Sequence, residues 1–217
     1  MKRLLLATHN EHKRREFARL LAGYEVDVLP DEVELPPEDG ETFIENALGK
    51  ARAAAAVTGA VTIADDSGIE AHALGGAPGV RSARYAGEDA SDEENLAKLL
   101  REAPAGSGLA YVCAPVYVDP RAGVERVFEA RCTGTLAAAP RGAGGFGYDP
   151  AFLPDEIPPG ESRSTGRGDQ SPLTYESPPN PESSPILTMA ELSDEQKDAI
   201  SHRGRAARAL LEWLRTG

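Results

Sequence analysis

The sequence predicts an α/β protein with a mixed central sheet flanked by helices, and two patterns lead to that prediction. In the first hundred residues, short apolar segments that suit buried strands alternate with segments that have helical periodicity. Two strand-like segments, 109–118 and 124–134, then follow each other around Asp119-Pro120-Arg121, as in an antiparallel pair. The first pattern is typical of parallel strands, so the two together indicate a mixed sheet.

The first strand and helix meet at a polar junction. Residues 4–7 form a short apolar run, and polar Thr8-His9-Asn10 follows at once. Asn10 is a favourable cap for the next helix, in which Phe17, Leu20 and Leu21 share one face. A second strand is expected at 26–29, and residues 30–41, rich in Pro, Asp and Glu, are expected to form a loop.

Three later helices begin with a capping box, in which a Ser or Thr caps the helix and a Glu or Gln three residues on bonds back to it. The boxes begin at Thr42, Ser91 and Ser193. We expect the first two of these helices to end near 57 and 100, and the C-terminal helical region that the third box opens to end near 215. Residues 154–187 are dense in Pro, Ser, Gly and Glu, and they are expected to form a flexible insertion in a single domain that spans 1–217.

Adjacent acids follow the predicted strand 61–64, in Asp65-Asp66-Ser67-Gly68. Two neighbouring carboxylates repel each other unless a cation or hydrogen-bond donors compensate them. Side chains alternate along an extended backbone, so the two acids should point apart. We expect Asp66 to hold Mg²⁺, which prefers carboxylates, waters and phosphate, and Asp65 to brace the turn. An Asx turn with Gly68 at its bend is the structural alternative.

Four further segments are candidates for binding an anionic substrate or its metal. The junction Thr8-His9-Asn10-Glu11-His12-Lys13 offers free backbone N–H groups and a lysine, although a simply capped helix explains it equally well. One acid of Glu38, Asp39 and Glu41 could complete a metal site, or all three could be a solvated cluster. Gly144 to Pro150 combines glycines, an acid and aromatic rings on which a base can stack, or it is a tight turn.

The fourth segment is basic and contains Lys197 and Ser201-His202-Arg203, which could meet phosphate or a base carbonyl or could form a basic helix surface. The chain has five lysines against 18 arginines. Three of the five, Lys13, Lys50 and Lys197, fall inside blocks that are suspected on other grounds, which suggests that a compact ammonium is needed there.

Composition bounds the function. The formal net charge of −12 disfavours a nucleic-acid binder that neutralises phosphates, but it leaves room for a small anionic substrate held by a few cations. No stretch is long enough to span a membrane, and the apolar N-terminal run is too short for a signal peptide. Cys113 and Cys132 lie in apolar strands and are expected to be buried thiols, with a disulfide as the alternative. A cytoplasmic protein is expected.

Taken in order, these blocks resemble the noncanonical purine NTP pyrophosphatases, the inosine triphosphate pyrophosphatase family. The resemblance spans nearly the whole chain, and the ordered set is far more specific than any one block. The matching blocks are 6–10 with Lys13 and Glu16, 42–47 with Lys50, 64–68, 76–80 with 82–85, 144–150, and 190–192 with Lys197 and 200–203.

The resemblance implies two lobes with a nucleotide cleft between them, a homodimer, and Mg²⁺-dependent hydrolysis of inosine, deoxyinosine and xanthosine triphosphates to monophosphate and pyrophosphate. Glu38 and Asp66 would hold Mg²⁺, and Asp66 would also be the catalytic base. The remaining implied residues would bind substrate. The phosphates would be bound by Thr8, His9, Asn10, Glu11, His12 and Lys13, and the substrate would also be contacted by Lys50 and Ser67. The base pocket would be formed by Phe146, Gly147, Tyr148, Asp149, Lys197, His202 and Arg203.

The sequence departs from the family pattern at 154–187, where the relatives have a short loop. Three other functions stay open. A related pyrophosphatase that acts on pyrimidine nucleotides would prefer uridine or thymidine triphosphates. A nucleotide-sensing protein would bind without turnover, against which the intact Glu38, Asp66 and Lys13 argue. A DNA-binding module is disfavoured by the net charge.

Overall fold

The computed structural model describes residues 3–156, 158–159 and 186–216. Within them, seven strands form one mixed sheet with helices packed on it, which confirms the predicted α/β class. The strands are β1 (Arg3–Leu6), β2 (Glu25–Val28), β3 (Thr62–Ala71), β4 (Gly108–Asp119), β5 (Val124–Val127), β6 (Ala130–Leu136) and β7 (Phe152–Pro154). The α-helices are α1 (Glu11–Leu20), α2 (Phe43–Thr58), α3 (Asp92–Glu102), α4 (Asp194–Ile200) and α5 (His202–Thr216).

The sheet changes from parallel to antiparallel at β3. The strand order is β2-β1-β3-β4-β6-β7, with β1 parallel to both of its neighbours. Strand β3 then pairs antiparallel with β4 from Thr62↔Val118 to Ala71↔Leu109. Strands β5 and β6 pair with successive parts of β4, and β7 pairs with β6. The long β3–β4 ladder is therefore the centre of the fold.

The predicted strand 124–134 is two strands, β5 and β6, and the interruption lies opposite Pro115. Proline has no amide hydrogen to donate to a ladder. Residues Phe128 and Glu129 leave the regular pairing there, and the contact that remains is Phe128 N–H donating to the Pro115 carbonyl at 2.8 Å. A proline inside a central strand thus splits its partner into two pieces.

Alternate residues of β1 face two different cores. Leu5 packs with the alanines of α2 and with Val116, whereas Leu4 and Leu6 pack with Phe17 of α1 and with apolar residues of α5 such as Leu210. Burial of each such leucine contributes about 1.5–3 kcal/mol. Helices on both faces hold the carboxyl end of β1 in a fixed position, and the polar junction 8–13 begins there.

The helix starts agree with the predicted caps. Asn10 accepts from the backbone N–H groups of His12 and Lys13, and all three predicted capping boxes form. Both cysteines are buried and free. In the described part of the chain, no helix combines the length and apolarity that a membrane span needs. Most of the predicted insertion 154–187 lies outside the described residues, and the two-lobe division stays a prediction.

Candidate active site

A cavity of about 360 Å³ opens where the junction after β1 meets β3, the 142–150 loop and the starts of α4 and α5. It gathers residues from every segment that the sequence nominated. The predicted site residues on its wall are Thr8, His9, Asn10, Lys13, Glu38, Lys50, Asp66, Ser67, Phe146, Gly147, Tyr148, Asp149, Lys197, His202 and Arg203. Predicted residues from segments up to 195 residues apart therefore line one shared cavity.

Two predicted residues, Glu11 and His12, do not line the cavity. Glu11 is exposed at the start of α1 and forms an ion pair with Arg14 at 2.5 Å. His12 is also exposed, and its ring stacks on Phe146 with centroids 4.9 Å apart and planes 23° apart. His12 thus joins α1 to the 142–150 loop at the surface.

The acidic pair lies inside β3 rather than at the end of a strand, which corrects the sequence prediction. Strand β3 continues through Asp65 and Asp66 to Ala71, paired with β4 throughout. No turn exists here for Asp65 to brace, and Gly68 is not a bend. A side chain at Gly68 would place its Cβ 2.6 Å from the Gly79 carbonyl oxygen, so glycine is required by close packing.

Asp66 faces the cavity with both carboxylate oxygens already hydrogen-bonded. Oδ2 accepts from Asn46 Nδ2 at 2.9 Å, and Oδ1 accepts from its neighbour's backbone N–H at 2.9 Å. Burial raises the pKa of Asp66, and the charge of Glu38 adds to this rise. The positive charges of Lys13 and Lys50 oppose it, but the net change is an increase. Asp66 is therefore a better proton acceptor than an ordinary aspartate, in a fixed orientation.

Buried Lys50 and partly buried Glu38 form an ion pair beside Asp66. Lys50 Nζ donates to Glu38 Oε1 and, at 2.7 Å, to the backbone carbonyl of Asp65. Burial works to lower the pKa of Lys50, but Glu38, Asp65 and Asp66 raise it overall, so the ammonium stays charged. Arg84 donates to the Glu38 carbonyl at 2.7 Å and so holds the end of the acidic loop at the cavity.

The donor set suits a hard divalent cation. Glu38 and Asp66 both line the cavity, and the unfavourable interaction between their charges is one that a cation would relieve. Among the residues that the structure describes, no cluster of three or more His, Cys, Asp and Glu could hold a metal alone. Mg²⁺ commonly uses one or two carboxylates together with waters and substrate phosphate, which is what these residues offer.

Asp65 is fully buried and holds two cations of the cavity wall. Its Oδ2 lies 3.3 Å from Lys13 Nζ and 3.6 Å from Arg203 Nε. Burial alone would raise the pKa of Asp65, but the positive charges of Lys13, Arg203 and Lys50 lower it well below its ordinary value. Asp65 is therefore an anion that positions Lys13 and Arg203, a role for which its sequence position gave no signal.

Glu16 is a buried anion that the residue-by-residue prediction left out. Its carboxylate accepts from Lys197 Nζ at 2.8 Å and from Arg203 Nη1. Arg203 also donates to Ser67 Oγ at 2.7 Å. One signal was available, since Glu16 lies three residues after Lys13 and so shares its helix face. Glu16 thereby ties α4 and α5 to α1.

The 142–150 loop is held from several sides. Asp149 Oδ2 accepts from Phe146 N–H at 3.0 Å and from Lys197 Nζ at 2.8 Å. Gly147 N–H donates to Asp92 Oδ2 at 2.9 Å. The Phe146 ring lies at the cavity with Lys197 Nζ 5.1 Å from its centroid. The loop therefore presents an aromatic ring in a defined orientation, as base stacking requires.

We expect the Glu16→Gln variant to lose stability at neutral pH but not in acid. Burial would raise the pKa of Glu16, yet Arg203 and Lys197 lower it to about 2 from its ordinary 4.5. The stabilisation is therefore full above pH 4.5 and is lost as pH falls through about 2, and it amounts to roughly 3 kcal/mol. Urea unfolding of wild type and variant at several pH values measures this. A difference in unfolding free energy that is independent of pH would contradict it.

Comparison with known proteins places the chain in a family. The model of the Ham1 family matches residues 4–213. The chain is 43% identical to the dITP/XTP pyrophosphatase of Yersinia pseudotuberculosis serotype I over 226 residues, covering 99% of each chain. It is 41% identical to the dITP/XTP pyrophosphatase of Escherichia coli strain K12 over 228 residues, covering all of both. The solved HAM1 protein of Coxiella burnetii superposes with a TM-score of 0.77 at 32% identity, covering all of both chains.

Proposed function

The chain belongs to the Ham1 family and is a nucleoside triphosphate pyrophosphatase, and we propose that it hydrolyses inosine, deoxyinosine and xanthosine triphosphates in a Mg²⁺-dependent reaction. The products are the nucleoside monophosphate and pyrophosphate, which removes these nucleotides from the cellular pool. One observation carries the proposal: a single cavity joins lysines and interacting carboxylates to an aromatic loop and a buried histidine. The lysines and carboxylates suit a triphosphate and its metal, and the aromatic loop and the histidine suit a base.

The phosphates are bound by the junction 8–13 together with Lys13 and Lys50. Backbone N–H groups at the start of α1 and the helix dipole favour an anion there. Lys13 and Lys50 add two positive charges on the cavity wall. Asp65 of β3 holds the ammonium group of Lys13, and Glu38 of the acidic loop holds that of Lys50. Both groups are therefore ordered before substrate arrives.

Asp66 acts on the attacking water. The water oxygen forms a bond to the α-phosphorus, the bond from that phosphorus to the α–β bridging oxygen breaks, and the bridging oxygen leaves with pyrophosphate. Asp66 accepts the water proton, and its hydrogen bonds with Asn46 and with the Ser67 N–H hold its carboxylate in a fixed orientation. Glu38 and Asp66 would hold Mg²⁺, which would stabilise charge on the phosphates and on the leaving group.

The base is held by the 142–150 loop and by residues of α4 and α5. Phe146 offers a stacking face, and Lys197, His202 and Arg203 line the same region. A donor aimed at the purine 6-oxygen would be left unpaired by adenine, which carries an amino group there, so adenine nucleotides are rejected. The proposal also includes a homodimer in the cytoplasm and no role for nucleic acid or membrane, all of which rest on the family resemblance and the net charge.

A substrate panel tests the proposal. Inosine, deoxyinosine and xanthosine triphosphates should be hydrolysed with kcat/KM at least about a hundredfold above that for ATP, UTP or TTP, because mismatched buried donors discriminate strongly. Chelation of Mg²⁺ should stop the reaction, and readdition should restore it. Preferential hydrolysis of UTP or TTP would establish the pyrimidine alternative instead. Binding without turnover of any triphosphate would show a nucleotide sensor.

A further inference from the structure

Tyr111 lies on β4 at the base end of the cavity, where the sequence gave no candidate. It is only 7% exposed, yet its side chain reaches two residues proposed to form the base pocket. Its hydroxyl donates to Asp149 Oδ1 at 3.0 Å. Its ring stacks on His202, with centroids 4.6 Å apart and planes 8° apart. One side chain therefore contacts both the acid of the aromatic loop and the buried histidine.

The bond from Tyr111 completes the hydrogen bonding of Asp149. The other carboxylate oxygen, Oδ2, accepts from Phe146 N–H and from Lys197 Nζ. Asp149 N–H in turn donates to the Phe146 carbonyl at 3.3 Å, so this carboxylate closes the turn that presents Phe146. Without the hydroxyl, Oδ1 would lose its hydrogen-bond donor from Tyr111 in a nearly fully buried position, and a buried carboxylate oxygen without a partner is costly.

The stack with Tyr111 orients the imidazole of His202. Burial, with the charge of Arg203, lowers the pKa of His202 well below its ordinary value, so the ring is neutral at cellular pH. Its Nδ1 has no hydrogen-bond partner in the part of the chain that the structure describes. The Tyr111 ring is itself held by Phe152, with centroids 4.6 Å apart. Phe152 of β7 therefore holds the Tyr111 ring, and the Tyr111 ring in turn sets the plane of the His202 imidazole.

We propose that Tyr111 is a positioning residue for base selection, which fixes the Asp149 turn through its hydroxyl and the His202 ring through its face. This inference deepens the proposed function and rests on it. The hydroxyl and the ring of Tyr111 contact Asp149 and His202, and neither of these is proposed to act on the phosphates. Its effect should appear in KM and in base selectivity rather than in kcat.

The Tyr111→Phe variant isolates the hydroxyl, because it keeps the ring and its stack. We expect KM for inosine triphosphate to rise about tenfold, the loss of one hydrogen bond to a charged group, while kcat changes less than about threefold. The kcat/KM preference for inosine over adenosine triphosphate should also fall by about tenfold, because the donor aimed at the purine 6-oxygen is then less well positioned. Tyr117→Phe is the matched control, since it makes the same change on the same strand outside the cavity lining, and it should leave all three quantities unchanged.

A double-mutant cycle with Asp149→Asn separates positioning from a general packing defect. If Tyr111 acts through Asp149, Tyr111→Phe should add less than about twofold to the selectivity loss that Asp149→Asn already causes. Asp149→Asn alone should show the same loss, which keeps the test available if Tyr111→Phe does not fold. Unchanged KM and selectivity in Tyr111→Phe, or fully additive effects, overturn the inference alone. A wild-type chain that releases no pyrophosphate from inosine triphosphate overturns the proposed function and this inference with it.

Discussion

Replacing Asp66 with asparagine should lower kcat for inosine triphosphate by at least about 10³-fold and leave the fold intact. Loss of a general base typically costs 10²–10⁴-fold, and the variant also removes one of the two carboxylates proposed to hold Mg²⁺. Asparagine has nearly the same shape, and its side-chain oxygen can still accept from Asn46, which holds Asp66 in the wild type. A pyrophosphate-release assay measures the loss, and circular dichroism with thermal unfolding checks the fold.

Asp27→Asn is the control for that variant. Asp27 lies on β2 and pairs with Arg3 at the surface, so the same change in charge there should leave kcat unchanged. If Asp66→Asn instead keeps more than about a tenth of wild-type kcat, a general base and metal ligand cannot be what was removed. The assignment of both roles to Asp66 would then be wrong.

Replacing Lys50 with arginine should lower kcat/KM by at least about a hundredfold, even though the charge is kept. Lys50 is 5% exposed, and its ammonium fits between the Glu38 carboxylate and the backbone carbonyl of Asp65. A planar guanidinium is larger and distributes its donors in a fixed fork, so it would displace Glu38 or enter the space for phosphate. Steady-state kinetics at several Mg²⁺ concentrations would measure both effects.

Lys98→Arg is the matched control, because Lys98 donates to the Tyr85 carbonyl and does not line the cavity. It should keep kcat/KM within about twofold, as surface substitutions usually do. Near-normal activity of Lys50→Arg would mean that the placement of three of the five lysines in the cavity does not reflect a need for an ammonium.

Local signals in the sequence predicted the helices well. The caps at Asn10, Thr42, Ser91 and Ser193 are formed by residues within three positions of each other, so the sequence contains both partners. A fourth capping box, at Thr188, was overlooked although it follows the same rule. The predicted site residues line one cavity for a related reason: several of them follow β1, lie on β3 or begin α5, and the sheet brings these positions together.

The errors arose where distant partners decide the structure. Asp65-Asp66-Ser67-Gly68 has low strand propensity, but pairing with β4 keeps it extended to Ala71, and tertiary context outweighs propensity. Glu16 and Lys197 are 181 residues apart, and Tyr111 and Asp149 are 38 apart. Nothing near Tyr111 in the sequence indicates its contact with Asp149, and the spacing of Glu16 from Lys13 indicates a shared helix face but not the partners of Glu16.

The central claim is that water attacks the α-phosphorus of an inosine-type triphosphate in this cavity. Hydrolysis of inosine triphosphate with Mg²⁺ in ¹⁸O-labelled water, followed by mass spectrometry of the products, tests it most directly. The predicted result is inosine monophosphate that carries one ¹⁸O atom, together with unlabelled pyrophosphate. Labelled pyrophosphate, or release of orthophosphate with inosine diphosphate, would contradict the claim.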